Sequence, residues 1–304
     1  MSEAARASGK SAEVLLVDAS VYVFRAWHSM PDEWVDQDGW PVNAVHGFVR
    51  FLLELLERQS PTHMAVAFDE ALESSFRNTL YPAYKANREP APESLKRQFG
   101  YCQALSRALG LRTLSDQQYE ADDLIGSILA ALRPQGFRGL IISADKDLSQ
   151  LLGPDDQQWD FARNQRWGHA DVHQRYGARA ERIADFLALA GDSVDNIPGV
   201  QGIGAKTASA LLDHFDSLES LLERVDEIPF LRLRGAKAHA ARLRAQADQA
   251  RLFKRITSIA LDAPVTSEAE AYRRQPIDSI ELESLFEQLR IGPMTRRRIS
   301  ALSS

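Results

Sequence analysis

The chain has 304 residues, of which 44% are hydrophobic, with one cysteine and a formal net charge of −6. This length fits one large globular domain or two modest ones. No apolar run is long enough to cross a bilayer, residues 1–10 lack the apolar core of a signal peptide, and the lone Cys102 cannot form an internal disulfide. We therefore expect a protein of a reducing cytoplasm, with Cys102 buried in a core. The oligomeric state is not readable from the sequence, and a monomer is the default expectation.

Five apolar runs predict strands in the first half of the chain, and three of them lead to an aspartate. Val14–Val17 precedes Asp18, Ala65–Phe68 precedes Asp69, and Leu140–Ile142 is followed shortly by Asp145. The weaker runs, 111–114 and 158–161, are expected to lack this ending. Helical patterns at 45–58, 95–109 and 122–132 alternate with the strands. The alternation predicts an α/β fold whose mainly parallel sheet is flanked by helices and binds ligands at its carboxyl edge.

The second half of the chain predicts a helical domain. Residues 180–189 and 207–215 are helical in pattern, and no strand signal of comparable strength follows Tyr176. The connection reads GVQGIGAKT over 199–207, and its glycines permit tight turns. Its amides and Lys206 can face a phosphate at a helix N-terminus, and its carbonyls can hold a monovalent cation. A plain helix–turn–helix corner is the alternative. One more amphipathic segment, 280–289, has no readable role.

Further carboxylates follow these elements in three groups. The groups are Glu120, Asp122 and Asp123 at the start of a predicted helix, Asp145 and Asp147 on either side of Lys146, and Asp192 and Asp195 before the glycine connection. Alone, each group also fits a helix cap or a turn. Together at one sheet edge they would repel each other unless cations neutralised them. Hard oxygen ligands favour Mg²⁺, with Mn²⁺ as a substitute, and two ions about 3.5–4 Å apart can activate a water and stabilise the leaving oxygen of a phosphodiester.

Two basic stretches stand out against the acidic average. Residues 77–112 contain seven Lys or Arg and two acids, and residues 232–255 contain eight and one. Either stretch alone also fits a solvated helix surface. A phosphoryl-transfer site needs fixed positive charge, which Arg77, Lys85 and Arg88 could supply, and Tyr84 could stack on a terminal base or pack in a core.

These motifs closely resemble the bacterial 5'-3' exonuclease and flap endonuclease family, which includes the N-terminal nuclease domain of DNA polymerase I. The likeness covers roughly 14–264. It is carried by LLVD ending at Asp18, FD at Asp69, SFR at Arg77, YKANR at 84–88, YEADD at 119–123, SADKD at 143–147, GD at 191–192 with DNIPG at 195–199, and GIGAKT at 202–207. Motifs in this order and spacing are highly specific.

The resemblance implies roles for individual residues. It assigns one metal position to Asp18, Asp69, Glu120 and Asp122, and a second to Asp123, Asp145, Asp147, Asp192 and Asp195. Arg77, Tyr84, Lys85 and Arg88 would belong to a helical arch over the active site, and Arg25 would contact phosphate. A helix-hairpin-helix would grip duplex DNA through Gly199, Gly202, Gly204, Lys206 and Thr207. Its backbone at Val200 and Ile203 would bind potassium.

The resemblance also implies a domain order and an activity. We expect a disordered tail at 1–12, a catalytic PIN-like or resolvase-like domain at 13–176 with its arch at about 74–110, a helix-hairpin-helix domain at 177–267, and an extension at 268–304. The expected activity is Mg²⁺-dependent hydrolysis of DNA at free 5' ends and 5' flaps, in replication and repair, by a nuclease without a polymerase domain. The alternatives are a PIN-type ribonuclease and a DNA-structure-binding protein without catalysis.

Overall fold

The computed structural model describes residues 12–70 and 74–302, which form two compact units. The first unit contains residues 12–70, 90–144 and 261–302. The second contains residues 74–89 and 145–260. Neither unit is therefore one continuous stretch of chain, because segments distant in sequence pack together. The predicted linear domains divide the chain differently, and the predicted arch at 74–110 is shared between the two units. Most of the predicted N-terminal tail, 1–11, lies outside the described residues.

A parallel sheet forms the centre of the first unit. Its strands follow the order β3-β2-β1-β4 and all pair in parallel. Val14 to Val17 in β1 are at most 1% exposed, because helices cover both faces of a parallel sheet and leave its central strands continuously apolar. The strands are β1 Ala12–Asp18, β2 His63–Asp69, β3 Arg112–Asp116 and β4 Phe137–Ile142.

The helices of the first unit pack on this sheet and on each other. The buried Gln98 side chain accepts the backbone N–H groups of Ala44 and Val45, so it satisfies donors that a helix start leaves unpaired. The C-terminal extension, whose role the sequence did not reveal, packs here too, since its last helix contacts the helix Asn43–Gln59 and Arg298 pairs with Glu57. The helices are α1 Ala19–Ser29, α2 Asn43–Gln59, α4 Glu93–Ala108, α5 Ala121–Leu132, α12 Ser279–Gln288 and α13 Pro293–Ala301.

The second unit is mainly helical and has one antiparallel hairpin, β5 Gln157–Asp160 with β6 Gln165–Gly168. Its apolar core includes the buried rings of Phe215 and Phe253 and the side chains of Val200 and Ile203 from the glycine connection. The helices are α3 Phe76–Leu80, α6 Val172–Tyr176, α7 Ile183–Ala190, α8 Ala205–Phe215, α9 Leu218–Glu223, α10 Ala236–Ala245 and α11 Ala247–Thr257. Short 3₁₀ turns include Asp147–Leu151 and Ala180–Arg182.

The structure confirms the predicted alternation of strands and helices, and it adds elements that the sequence did not reveal. Strand β6 was missed because its sequence, QRWG, is too short and polar to stand out. The two weaker strands also end in aspartate, Asp116 in β3 and Asp160 in β5, which corrects the expectation that they lack this ending. Within 12–70 and 74–302, no helix has the length and apolar character needed to span a membrane.

Candidate functional site

Two strand-end aspartates lie at the carboxyl edge of the sheet in the first unit. Asp18 ends β1 and Asp69 ends β2, which are parallel neighbours. Ser143 Oγ donates a hydrogen bond of 2.7 Å to Asp18 Oδ2, and the Ala121 N–H donates one of 2.8 Å to Asp69 Oδ1. Because Ala121 is the first residue of α5, this bond attaches the positive end of the helix dipole to Asp69. The bond also brings the acidic start of α5 to the same edge of the sheet.

The acids at the start of α5 form a capping box. The Glu120 side chain accepts the backbone N–H of Asp123, and Asp123 Oδ2 accepts the Glu120 N–H at 3.0 Å. Asp123 is fully buried, whereas Asp122 is half-buried. Glu120 and Asp123 therefore perform the capping role that the sequence left open. Asp123 was predicted to bind a metal through the resemblance, and the structure adds a capping role, because one of its oxygens accepts a backbone N–H at the helix terminus.

The aspartates that end β3 and β5 serve turns. Asp116 Oδ1 accepts the N–H groups of Gln118 and Tyr119, and Asp160 Oδ1 accepts the N–H of Arg163. These are ordinary side-chain-to-backbone bonds of turn residues. An aspartate at a strand end is therefore not sufficient to indicate a catalytic role in this chain.

The second unit contains an acidic cluster built around a lysine, which we call the Lys146 cluster: Asp145, Lys146, Asp147, Asp192 and Asp195. Lys146 Nζ lies 2.5 Å from Asp192 Oδ2 and 3.5 Å from Asp147 Oδ1. The Asp192 side chain is only 5% exposed. Asp145 Oδ1 accepts the backbone N–H of Asp147 at 2.9 Å. Residues 145–147, which precede β5 and β6 in the sequence, thus lie beside Asp192, which follows these strands, within one unit.

The charges of this cluster shift the pKa values of its members. Burial raises the pKa of Asp147, and repulsion from Asp145, Asp192 and Asp195 raises it further, which outweighs the attraction of Lys146. Burial would also raise the pKa of Asp192, but the hydrogen bond and charge of Lys146 lower it overall. Burial opposes the charge of Lys146, yet Asp147 and Asp192 raise the pKa of this lysine well above its usual range. The cluster therefore has more negative charge than one lysine balances.

Asp147 supplies the observation that fits a cation. Its Oδ1 atom is buried and makes no hydrogen bond, although buried carboxylate oxygens are normally paired. A buried hard oxygen that lacks a hydrogen bond and lies beside three other carboxylates suits a divalent ion such as Mg²⁺. Over the described residues, however, no three Asp, Glu, His or Cys side chains form a ready-made metal cage. The donor set thus fits a cation, while the coordination shell is not preformed.

Asp195 is held by residues that the sequence had assigned to the arch. Tyr84 Oη donates to Asp195 Oδ2 at 3.1 Å, and Arg88 Nη2 donates to Asp195 Oδ1 at 2.8 Å. The Lys85 N–H donates to the Asp195 carbonyl at 3.1 Å, from a backbone at φ 53°. Two further bonds join the same segments, Asn87 Nδ2 to Ser193 O and Asn196 Nδ2 to Ala83 O. Tyr84 is 3% exposed, so the structure corrects its predicted role as an open stacking surface.

Arg77 is also placed differently from the prediction. Its side chain is 3% exposed, and its guanidinium donates to the carbonyls of Ile256 at 2.8 Å and Ser258 at 3.0 Å. These carbonyls lie at the end of α11, where a cation is favoured by the helix dipole. Arg77 therefore joins α3 to the end of α11, and this buried position does not present it to a phosphate. Arg88, in contrast, keeps 43% of its side chain exposed.

The glycine connection has the geometry expected of a close backbone turn. Gly199 and Gly202 have φ values of 67° and 76°, and a Cβ on Gly199 would overlap the backbone of Gly191. Gly204 is the N-cap of α8, and a Cβ there would meet nothing within 4 Å. Open space at a helix N-terminus beside an exposed Lys206 is suited to a phosphate.

The remaining predicted residues occupy compatible but less informative positions. Arg25 is exposed on α1, and Thr207 is half-buried in the first turn of α8. The carbonyl of Val200 accepts the N–H of Ile203, which uses one of its two lone pairs. The sequence reasoning missed Lys146, although a lysine between two aspartates is a visible signal.

Comparison with known proteins identifies the family. Family models match the 5'-3' exonuclease N-terminal resolvase-like domain over residues 13–177 and the 5'-3' exonuclease C-terminal SAM fold over 178–280. DNA polymerase I of Rhizobium leguminosarum is 36% identical over 295 residues, which are 95% of this chain and 28% of that polymerase. DNA polymerase I of Bacillus subtilis (strain 168) is 34% identical over 290 residues, 94% and 32% of the two chains. The chain thus spans less than a third of these relatives.

Solved structures share the fold at low sequence identity. T5 5'-exonuclease with bound divalent zinc has a TM-score of 0.65 and 18% identity, and the match covers 95% of this chain and 98% of the other. The catalytic core of Rad2 in complex with DNA substrate has a TM-score of 0.65 and 14% identity, and the match covers 96% of this chain and 93% of the other. These likenesses and the family models confirm the predicted resolvase-like α/β fold with a helical C-terminal domain. Because the two family models together span residues 13–280, the chain belongs to the 5'-3' exonuclease family.

Proposed function

We propose that this protein is a structure-specific nuclease that hydrolyses DNA phosphodiesters at free 5' ends and 5' flaps, with Mg²⁺ as its cofactor. The observation that carries the metal requirement is the buried Asp147 Oδ1 in the Lys146 cluster, which accepts no hydrogen bond. Family membership supports the choice of reaction, since nucleic-acid phosphodiesters are the substrates of an exonuclease. Relatives that are bacterial DNA polymerases support a role in DNA replication and repair in the cytoplasm.

The carboxylates would hold divalent ions in two sets. In the first unit the set is Asp18, Asp69, Glu120 and Asp122, and in the second it is Asp145, Asp147, Asp192 and Asp195. The carboxylate of Asp123 would assist ion binding in addition to capping its helix. When bound, the ions supply an activated water and stabilise the leaving oxygen. Mn²⁺ would replace Mg²⁺, because both accept oxygen ligands. The divalent zinc in T5 5'-exonuclease supports a divalent metal in this fold.

The protein's own charges would then bind and orient the strand. The exposed guanidinium of Arg88 and the ammonium of Lys85 can contact a phosphate, and Arg25 can do so from α1. Lys206 and the N–H groups at the start of α8 would bind the duplex through its phosphates, with little base specificity. Potassium would bind the backbone of Val200 and Ile203. The DNA-bound Rad2 core supports DNA as the partner of this fold.

The test is cleavage of a 5'-flap duplex by wild type, Asp147→Asn and the control Asp155→Asn, an exposed aspartate of the same unit. We expect wild type and Asp155→Asn to cut near the flap junction with Mg²⁺ and to stop in EDTA. Asp147→Asn should lose roughly 100-fold or more in rate, since it removes a metal ligand.

Other results would contradict the proposal in distinct ways. Binding of the flap without metal-dependent cleavage would indicate a DNA-structure-binding protein. Preferential cutting of single-stranded RNA would indicate a PIN-type ribonuclease. Equal cleavage rates for Asp147→Asn and wild type would contradict the assignment of Asp147 in the second unit as a metal ligand.

A further inference from the structure

Lys146 occupies the position within its cluster where a cation would be expected. Its ammonium contacts Asp192 Oδ2 at 2.5 Å and lies 3.5 Å from Asp147 Oδ1. Asp147 Oδ1 has no hydrogen bond, so the lysine approaches it without satisfying it. The Lys146 side chain is 36% exposed, and therefore one side of it is open to solvent.

A divalent ion and this ammonium compete for the same oxygens. A directly bound Mg²⁺ lies about 2.0–2.1 Å from its oxygen ligands. An ion bound to Asp192 Oδ2 at that distance would come close to an ammonium that touches the same oxygen, and the two positive charges would repel strongly where solvent screening is weak. The flexible, partly exposed lysine stem permits the ammonium to move into solvent, whereas the buried Asp192 carboxylate has no such freedom.

We propose that Lys146 is a built-in counter-ion of the metal-free protein, which a divalent ion displaces when it binds Asp147 and Asp192. The inference rests on the proposed metal-binding function of these carboxylates. It assigns Lys146 a positioning role with two opposite consequences. The lysine stabilises the crowded carboxylates before metal arrives, and it weakens metal affinity because its contacts must be broken first.

Chemical labelling of lysines measures the displacement directly. The protein is treated with an amine-acetylating reagent in EDTA and in saturating Mg²⁺, without DNA, and the modification rate of each lysine is read by mass spectrometry. We expect the rate at Lys146 to rise by about tenfold or more with Mg²⁺, because the ammonium leaves the carboxylates that hold it in its charged, unreactive form. Lys237, which is exposed on α10, is the internal control and should keep its rate. An unchanged or reduced rate at Lys146 would overturn the proposal.

Metal affinity and stability provide the second readout. Mn²⁺ binding is titrated for wild type, Lys146→Met and the control Lys237→Met. Lys146→Met should bind Mn²⁺ about tenfold more tightly, equivalent to about 1.4 kcal/mol. Its thermal midpoint should fall in EDTA and recover further than that of wild type when Mn²⁺ is added. If Lys146→Met bound Mn²⁺ more tightly but the labelling rate of wild-type Lys146 did not rise with metal, Lys146 would repel the ion from a fixed position. That result would also overturn the proposal that the ion displaces Lys146.

Two carboxylate variants separate failure of this inference from failure of the proposed function. Asp147→Asn and Asp192→Asn should both weaken Mn²⁺ binding, and Asp192→Asn should raise the labelling of Lys146 even in EDTA. If neither variant altered Mn²⁺ binding, the metal-binding function of the cluster would be wrong. If both variants weakened Mn²⁺ binding while the labelling rate of wild-type Lys146 stayed the same with and without metal, only the counter-ion role would be wrong.

Discussion

Replacement of Arg77 by methionine tests whether this arginine supports the fold or contacts the substrate. The buried guanidinium donates hydrogen bonds of 2.8 Å and 3.0 Å to the carbonyls of Ile256 and Ser258. A hydrogen bond to a charged group contributes about 1.5–3 kcal/mol, so the loss of two should cost about 3–6 kcal/mol. The methionine stem retains part of the packing, and we therefore expect the free energy of unfolding to fall by about 3 kcal/mol.

Urea unfolding followed by circular dichroism measures this loss, and single-turnover cleavage at low temperature measures the chemistry of the folded fraction. Arg88→Met is the matched control, because Arg88 is an arginine of the same segment whose ion pair is partly exposed. Its unfolding free energy should change by less than about 1 kcal/mol. The reasoning would be refuted if Arg77→Met unfolded like wild type yet cleaved saturating flap DNA about 100-fold more slowly, since that pattern belongs to a transition-state contact.

Three further predictions concern binding, backbone strain and pH. Lys206→Ala should weaken duplex binding equally across sequences and should reduce the slope of log affinity against log salt concentration by about one. Fluorescence anisotropy measures both effects, and an unchanged slope would contradict the phosphate contact. Gly199→Ala should lower the unfolding free energy by about 2 kcal/mol or more, because φ is 67° and the new Cβ would overlap the backbone of Gly191. Gly100→Ala is the control and should not destabilise the protein, because nothing lies within 4 Å of the new Cβ. Similar melting temperatures for the two variants would contradict the turn geometry. Folding favours the protonated form of Asp147, because the pKa of this carboxyl is raised from 3.8 to about 8. In the metal-free protein, its contribution to the free energy of unfolding should therefore be full below pH 4 and should be lost as the pH rises through 8. Asp147→Asn should remove this loss, and parallel curves of unfolding free energy against pH for the two proteins would contradict the prediction.

The sequence predicted those parts of the site that depend on local pattern. An apolar strand core followed by an acid located Asp18 and Asp69, because strand period and burial are local properties of the chain. The same rule missed the endings at Asp116 and Asp160, since their strands are short and mostly polar. Helix positions were predicted well for amphipathic segments, as α2 and α8 illustrate.

Side-chain partners were predicted less well, because they depend on contacts between distant residues. Arg77 lies 179 positions from Ile256, and Tyr84 lies 111 positions from Asp195. Nothing in the basic stretch distinguishes an arginine that bonds a distant carbonyl from one that faces solvent. Lys146 was overlooked for a similar reason, since a lysine between aspartates also fits a solvated turn until Asp192 is brought to it by the fold.

The division of the chain among its two units limits how the protein can be dissected. The chain passes from one unit to the other four times, between 70 and 74, 89 and 90, 144 and 145, and 260 and 261. A fragment that ended near residue 176 would keep Tyr84, Arg88 and Lys146 but discard Asp192, Asp195 and the helices that build the core around them. Truncation at the boundary between the two matched family models would therefore produce two incomplete cores. Isolation of the second unit would require a rearranged gene in which residues 74–89 are rejoined to 145–260 by a designed linker.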